Sequence, residues 1–118
     1  GAAVAGKGRR VVSLQADGSG MYSLQALWTQ ANEQLDVTTI IFANRKYAVL
    51  LGELAQVGAD AGKTALNMLD LSRPPLDWVH LANGMGVEAA KATTLEELAD
   101  LLIAANSRKG PFLIELVI

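Results

Sequence analysis

Short runs of apolar and β-branched residues alternate along this chain with segments whose apolar residues recur every three or four positions. The runs predict four strands, at residues 10–15, 37–42, 87–91 and 112–118. Helical stripes begin near Met21, Tyr47, Leu76 and Leu95. This alternation is typical of βαβ units, in which a helix returns the chain so that the next strand runs parallel to the last. The sequence therefore predicts an α/β fold, a parallel sheet with helices on both faces.

Three local features refine this prediction. Trp28 shares the first helical stripe with Met21 and Leu24, so we expect it in the core rather than against a ligand. Residues 58–75 contain two glycines and two prolines and are predicted to be irregular and mobile. Thr94 and Glu97 have the spacing of a capping box, in which the hydroxyl and the carboxylate each accept a free backbone N–H.

Composition narrows the range of partners. The net charge of −2 gives no reason to expect binding to nucleic acid or to an anionic membrane. No stretch approaches the roughly 20 apolar residues of a membrane span. The absence of cysteine excludes disulfides and thiolate metal sites and is compatible with the cytoplasm, the predicted location. The hydrophobic content of 51% favours an apolar surface covered by a partner, and we expect a homo-oligomer.

Two oxygen-bearing side chains follow neighbouring predicted strands. Asp17 comes just after the first strand and Asn44 just after the second, and ligands of open α/β sheets bind outside the carboxyl ends of strands. Asp17-Gly18-Ser19-Gly20 then enters a helix, where glycines and free N–H groups suit a phosphate. An Asp beside a phosphate site makes sense if Mg²⁺ lies between them, since Mg²⁺ takes few ligands from protein side chains. The alternative remains open that both segments are simple turns.

Other candidates for chemistry are weaker. His80, the only histidine, is predicted to lie on a helix surface, with no carboxylate partner evident from the sequence. Glu115 lies in an apolar strand, where it either faces a partner or solvent at the strand end, or accepts a buried hydrogen bond. Ser19 has no His and Asp arranged to make it a nucleophile.

The residues around Asp17 and Asn44 resemble a known motif. Ala16-Asp17-Gly18-Ser19, with Asn44 placed 27 positions after Asp17, is similar to the thiamine diphosphate motif, Gly-Asp-Gly followed some 25–30 residues later by Asn-Asn. The flanks, residues 21–29, 41–47 and 76–86, resemble acetolactate synthase and benzoylformate decarboxylase-like enzymes. The chain is thereby identified as similar to the C-terminal, diphosphate-binding domain of that family, with the thiamine diphosphate-binding fold.

The resemblance implies a set of site residues. Asp17 and Asn44 are implied as ligands of Mg²⁺ through side-chain oxygens, and Lys46 through its backbone carbonyl. Gly18 and Ser19 are implied to hold the diphosphate. Tyr47 follows the metal loop closely and either lines the cofactor cleft or packs elsewhere.

The resemblance also implies what lies outside the chain. In this family the cofactor lies between two domains, and a pyrimidine-binding domain of the same or another subunit supplies an activating Glu. We therefore interpret residues 1–118 as one partial domain, lacking its N-terminal part and inactive alone, of an enzyme that decarboxylates a small 2-oxo acid. Ala16 and Ala43 depart from the motif, since a Gly and an Asn are typical there. The alternative is a non-catalytic α/β module that no longer binds the cofactor.

Overall fold

The computed structural model describes all 118 residues, and its centre is a four-stranded, fully parallel sheet. The strands are β1 (Val11–Ala16), β2 (Val37–Ala43), β3 (Glu88–Ala92) and β4 (Phe112–Val117). Their order across the sheet is β1-β2-β4-β3, so β2 and β4 are central and almost wholly buried. The four predicted strands are confirmed, with ends that differ from the prediction by at most one residue.

Seven helical segments surround the sheet. They are α1 (Ala2–Ala5), α2 (Asp17–Gly20), α3 (Ala26–Asn32), α4 (Ala48–Gln56), α5 (Lys63–Leu69), α6 (Trp78–Gly84) and α7 (Leu95–Asn106). None of these helices combines the length and the apolar character that crossing a membrane requires.

Helices cover both faces of the sheet, as predicted. On one face, Leu27 of α3 and Trp78 and Ala82 of α6 pack against Ile41 and Leu113. On the other face, residues of α7 pack against the central strands and β3 (Ile40, Ala92, Ala105, Phe112, Ile114 and Leu116, with Leu98, Leu101 and Leu102 at the margin). Each face therefore has its own apolar cluster. Val12 and Leu14 of β1 remain 50% and 61% exposed.

The first helical stripe is divided, and the prediction for Trp28 is wrong. The chain makes α2, then tight turns through Ser23, and only then α3. The break lies at residues 21–25, after both glycines of α2. Without one continuous helix, the spacing from Met21 no longer fixes the face of Trp28, whose ring is 57% exposed.

Residues 58–75 are more regular than predicted, because α5 lies within them. The segment Lys63–Leu69 contains Ala, Leu, Met and Lys, all good helix formers, and Gly62 precedes it in an extended conformation. The glycines and prolines flank this helix rather than interrupt it. Neither α4 nor α5 has a buried residue, so the mobility of the segment stays a prediction.

The capping box of α7 differs from the predicted one in the backbone N–H that the Glu97 carboxylate accepts, which belongs to the residue before Thr94. The Thr94 hydroxyl accepts the backbone N–H of Glu97 at 3.1 Å, as predicted. The Glu97 carboxylate instead accepts from the backbone N–H of Thr93, at 2.7 Å, and from its hydroxyl. These two bonds lower the pKa of Glu97 below its usual value; the bond from the backbone N–H contributes most and the bond from the hydroxyl contributes next.

Asp36 joins the amino ends of three strands. Its carboxylate accepts from the Lys109 ammonium at 3.0 Å and from the backbone N–H of Gly110 at 2.8 Å, just before β4. Arg10, just before β1, lies 3.8 Å from the same carboxylate and donates to the Thr38 hydroxyl on β2 at 3.0 Å. The hydrogen bond from Lys109 contributes most to a lowered pKa of Asp36, followed by that from Gly110.

Candidate functional site

Asp17 and Asn44 lie side by side at the carboxyl edge of the sheet. β1 and β2 are adjacent and parallel, with Ala16 opposite Phe42, so the residues that follow both strands emerge at the same edge. Asp17 is the first residue of α2, directly after β1, and Asn44 directly follows β2. The prediction that the two residues share one edge is confirmed.

A residue that follows a predicted strand at the sheet edge is expected to be exposed, but Asp17 is buried. Its side chain is 1% exposed and points into the junction of the two loops. One carboxylate oxygen accepts the backbone N–H of Gly18 at 2.8 Å, and the other accepts that of Arg45 at 2.6 Å. The sequence gives the position of Asp17 but not this link to the second loop, which draws the side chain inward. Asp17 thus joins the segment after β1 to the segment after β2.

The loop after β2 curls back on itself. The Asn44 side-chain oxygen accepts the backbone N–H of Lys46 at 3.1 Å. Between them Arg45 adopts a left-handed backbone with φ of +57°, which costs a residue with a Cβ about 1 kcal/mol or more. The side chains of Arg45 and Lys46 are exposed, so two cationic groups stand at this edge.

The same loop is paired with the chain that leaves α5. The backbone N–H of Tyr47 donates to the Leu69 carbonyl at 2.9 Å, and that of Leu71 donates to the Arg45 carbonyl at 2.8 Å. A bridge between Lys46 and Asp70 lies between these bonds. The loop that carries Asn44 is therefore held from two sides, by Asp17 and by the segment after α5.

Gly18 is required by the packing of the Tyr47 ring. A Cβ on Gly18 would lie 2.5 Å from Tyr47 Cε1, far closer than atoms pack, so only glycine fits beneath the ring. Tyr47 thus packs on Gly18 and also lines a cavity at this edge of the sheet, and its place in a cofactor cleft stays a prediction. The backbone N–H of Gly18 already donates to Asp17, which differs from the expectation that it is free for a phosphate.

Ser19 closes the turn through its hydroxyl. The hydroxyl accepts the backbone N–H of Ala16 at 3.2 Å and lies 2.9 Å from Gln15 Oε1, to which it donates. Ala16 itself has φ −84° and ψ 157°, an ordinary extended conformation that a Cβ allows. The departure from Gly at this position therefore puts no strain on the turn.

A cavity of about 230 Å³ opens above these residues. Five of its lining residues are predicted site residues: Gly18, Ser19, Asn44, Lys46 and Tyr47. Asp17 lies beneath this lining. The sequence analysis missed Tyr22 and Val49, which also line the cavity. Only their positions in the sequence could have indicated that they line the cavity, because Tyr22 follows the Gly-rich turn and Val49 follows Tyr47 by two residues.

The donor set at this edge suits a hard cation with few protein ligands. No group of three or more His, Cys, Asp or Glu side chains converges anywhere in the chain. The edge instead offers one carboxylate, one amide oxygen and the backbone carbonyls of the Asn44 loop. Each Asp17 oxygen accepts one hydrogen bond and retains a lone pair for a further interaction. Mg²⁺ accepts such a partial set because phosphate and water oxygens complete its octahedron.

The remaining candidates lie away from this cavity. His80 is exposed, as predicted, but it has the carboxylate partner that the sequence did not reveal, since its Nδ1 lies 2.8 Å from Asp77 Oδ2. Asp77 also accepts the backbone N–H of His80 and so caps α6; that bond is the first cause of its lowered pKa. Glu115 is buried and forms an ion pair with Lys91 at 3.2 Å, which matches the buried alternative.

Comparison with protein families gives one match across nearly the whole chain. The family model described as "Thiamine pyrophosphate enzyme, C-terminal TPP binding domain" matches residues 1–116. Every residue of the candidate site lies within that match.

Curated relatives and solved structures give the same result. A putative acetolactate synthase large subunit of Mycobacterium tuberculosis is 52% identical over all of this chain, and a benzoylformate decarboxylase of Pseudomonas aeruginosa is 35% identical over 98% of it. The structure of a thiamine diphosphate-dependent 4-hydroxybenzoylformate decarboxylase from Rhodococcus jostii superposes with a TM-score of 0.86 at 33% identity, over 97% of this chain. The chain spans only about a fifth of these proteins, 23%, 21% and 20% of their lengths.

Proposed function

Since the chain belongs to the thiamine pyrophosphate enzymes, as their C-terminal TPP-binding domain, we propose that it holds the diphosphate of thiamine diphosphate through Mg²⁺. The proposed metal ligands are a carboxylate oxygen of Asp17, the amide oxygen of Asn44 and the backbone carbonyl of Lys46. Gly18 and Ser19 form the floor beneath the diphosphate, and Tyr47 forms a side wall.

One observation carries this proposal: the side chains that follow two adjacent parallel strands converge beneath one cavity. Asp17 binds the Arg45 backbone across the junction, which brings the carboxylate to the loop that contains Asn44. The cavity is lined by that loop and by the turn after β1. Both halves of the proposed site therefore meet without any movement of the sheet.

Electrostatics favours a metal between protein and diphosphate. The diphosphate is strongly anionic, and the chain offers only Arg45 and Lys46 as cations near the cavity. α2 has four residues, too few for a strong helix dipole. Asp17 adds a negative charge at the floor of the site. A divalent cation resolves this conflict, because it neutralises the carboxylate and the diphosphate together.

The size of the cavity supports a second wall from another domain. Complete ligand pockets measure about 300–1,000 Å³ and enclose most of the ligand. The 230 Å³ cavity falls below that range and is open at Tyr22, which is largely exposed. We propose that a pyrimidine-binding domain, of the same or another subunit, covers the rest of the cofactor in a homo-oligomeric enzyme.

The proposed reaction of the whole enzyme is decarboxylation of a small 2-oxo acid, with release of the product or its ligation to a second carbonyl. The bound cofactor supplies the electron sink. The residues of this chain bind the diphosphate, orient it through the Asp17 and Asn44 loops, and exclude water at Tyr47. The activating Glu and most substrate contacts belong to other parts of the enzyme in this proposal.

Calorimetric titration of thiamine diphosphate into the full-length protein tests the metal link. The wild type should bind with Mg²⁺ and lose at least about tenfold in affinity with chelator. Asp17→Ala should abolish the Mg²⁺-supported binding. Asn44→Ala should weaken it, while leaving the buried Asp17 hydrogen bonds in place. Asn67→Ala, which removes the same amide from exposed α5, is the matched control and should bind like wild type.

A second candidate is a module that keeps the fold without the cofactor. It is favoured by the internal hydrogen bonds of Asp17 and Asn44, which already engage the side-chain oxygens of both residues within the chain. The same titration separates the two. Equal binding by the wild type and Asp17→Ala, with and without chelator, would remove the metal site. No binding by the wild type, with and without Mg²⁺, would leave the module without the cofactor as the function.

A further inference from the structure

A second cavity lies behind the turn that carries Gly18 and Ser19. It measures about 130 Å³, is partly open to solvent, and is lined mainly by residues of β1, β2, α3 and α6, on the face of the sheet that holds the Trp78 cluster. Gly20 belongs to its wall, and the Trp78 ring packs directly against that glycine, where a Cβ would lie 2.7 Å from Trp78 Cη2. The proposed cofactor site and this cavity are thus on opposite sides of one short turn.

The cavity gathers polar side chains that lack partners. Four buried side-chain polar atoms in the chain have no hydrogen-bond partner within the protein. Three of them, Gln30 Oε1, Thr39 Oγ1 and Trp78 Nε1, belong to residues that line this cavity. Thr39 and Trp78 are more than nine-tenths buried. Leaving one such atom unpaired costs about 1–3 kcal/mol, so three around one cavity indicate a shared partner.

The chemistry of the lining restricts the occupant. None of the residues that line the cavity is ionisable, so nothing compensates the burial of an ion there. The polar groups are hydroxyls of Ser13, Ser23 and Thr39, amides of Gln15 and Gln30, and one indole N–H that only donates. A neutral molecule that both donates and accepts matches this set. At about 30 Å³ per water, the volume accommodates about four waters or one solute of similar size.

We propose that this cavity is a binding site for small uncharged hydrogen-bonding molecules, either a cluster of water or a neutral solute such as a short amide. The occupant accepts from Trp78 Nε1, donates to Gln30 Oε1 and bonds the Thr39 hydroxyl. Through Gln15, which lines the cavity and accepts from Ser19, the occupant also supports the turn beneath the proposed cofactor site. The proposal does not depend on cofactor binding, because it concerns the opposite side of that turn.

Nuclear magnetic resonance on the 118-residue chain tests the occupant directly, because its two tryptophans report separately. The indole N–H of Trp78 should show a nuclear Overhauser contact to long-lived water, of the sign given by internal water. Trp28, whose ring is exposed, should show only the contact of surface water and is the internal control. Titration with acetamide distinguishes the two sources. A saturable shift confined to Trp78 assigns a solute site, and no shift assigns water alone.

Substitution of Thr39 gives a second test, in which the direction of the change in melting temperature shows whether the Thr39 hydroxyl is bonded to an occupant. Thr39→Val keeps the shape and removes the hydroxyl. If the hydroxyl is bonded to an occupant, the variant should melt about 4 °C lower. Thr38→Val is the matched control on the same strand, since the Thr38 hydroxyl is bonded to Arg10, and it should also melt lower. A Trp78 indole without internal water, or a Thr39→Val variant that melts higher than wild type, would overturn the proposal.

Discussion

Asp17 has two roles at the same position, one structural and one in the proposed site. Its carboxylate is the only acceptor for the backbone N–H groups of Gly18 and Arg45, which end up in different loops. The bond from Gly18 is buried and the bond from Arg45 is partly buried, and a lost acceptor is most costly where the donor is shielded from water. Any account of Asp17 as a metal ligand alone is therefore incomplete.

We expect Asp17→Ala to destabilise the fold as well as to remove a ligand. The substitution leaves the buried N–H of Gly18 and the partly buried N–H of Arg45 without a partner, so the free energy of unfolding should fall by about 2 kcal/mol. Urea denaturation of the 118-residue chain measures this change. Asp60→Ala removes the same side chain from an exposed position and should stay within about 0.5 kcal/mol of wild type. A similar small change at Asp17 would contradict the structural role.

Among the elements, the strands are the part that the sequence predicts best. Residues 37–42 and 112–118 are nearly continuous apolar or β-branched runs, and this is the pattern of strands buried on both faces. The side chains at their carboxyl ends could likewise be placed at one edge, because parallel strands end together. The approximate position of the candidate site therefore follows from the sequence, and Asp17 and Asn44 are the residues predicted for it.

The helices and the fine geometry were less predictable, for physical reasons that differ. Trp28 could not be placed because the break between α2 and α3 changes which face it occupies. The burial of Asp17 depends on the N–H of Arg45, a contact between residues 28 positions apart that no local pattern records. α5 was not predicted because its flanking glycines and prolines outweigh a run of only seven residues, most of which are helix formers.

The pair of helices α4 and α5 is the element that we expect to be least stable. Neither helix has a buried residue, and an apolar groove lined by Leu54, Val57 and Met68 remains open between them. Local stability follows buried apolar contacts. Backbone amides of residues 48–69 should therefore exchange with solvent at least about tenfold faster than those of α7 or β4. Equal protection in the two regions, measured by hydrogen exchange, would contradict the predicted mobility.

For the molecule as a whole, Asp36 makes the stability of the fold decrease at acidic pH. Its pKa lies below the ordinary 3.8 in the folded state, chiefly through Lys109, so ionised Asp36 favours the fold. This contribution is complete above pH 3.8 and is lost as the pH falls through the lowered pKa. We expect the melting temperature to drop below about pH 4 by less in Asp36→Asn than in wild type. The comparison variant is Asp60→Asn, which removes one exposed charge and should follow wild type.

The exposed apolar surface of the whole molecule leads us to expect self-association. Val12 and Leu14 lie on the edge strand β1. On the same face of the sheet, α7 packs over the other strands and leaves these two side chains exposed. Sedimentation velocity of the 118-residue chain should show dimers or larger species. Leu14→Lys should reduce them, whereas Ile103→Lys, at an equally exposed residue of α7, should not. A monomer at high concentration would contradict the expectation.

The pairing of Tyr47 with Leu69 also has a consequence for how this molecule tolerates change. The chain between them leaves the site and returns to it, and its two ends are fastened together by backbone bonds. The segment from Tyr47 to Leu69, which are 22 positions apart, is therefore a loop closed at its base. Doubling its length costs only about 0.6 kcal/mol of closure entropy. Residues 48–68 are therefore a natural site for grafting, where inserted or exchanged sequence can diversify the surface beside the Asn44 loop while its anchoring stays intact.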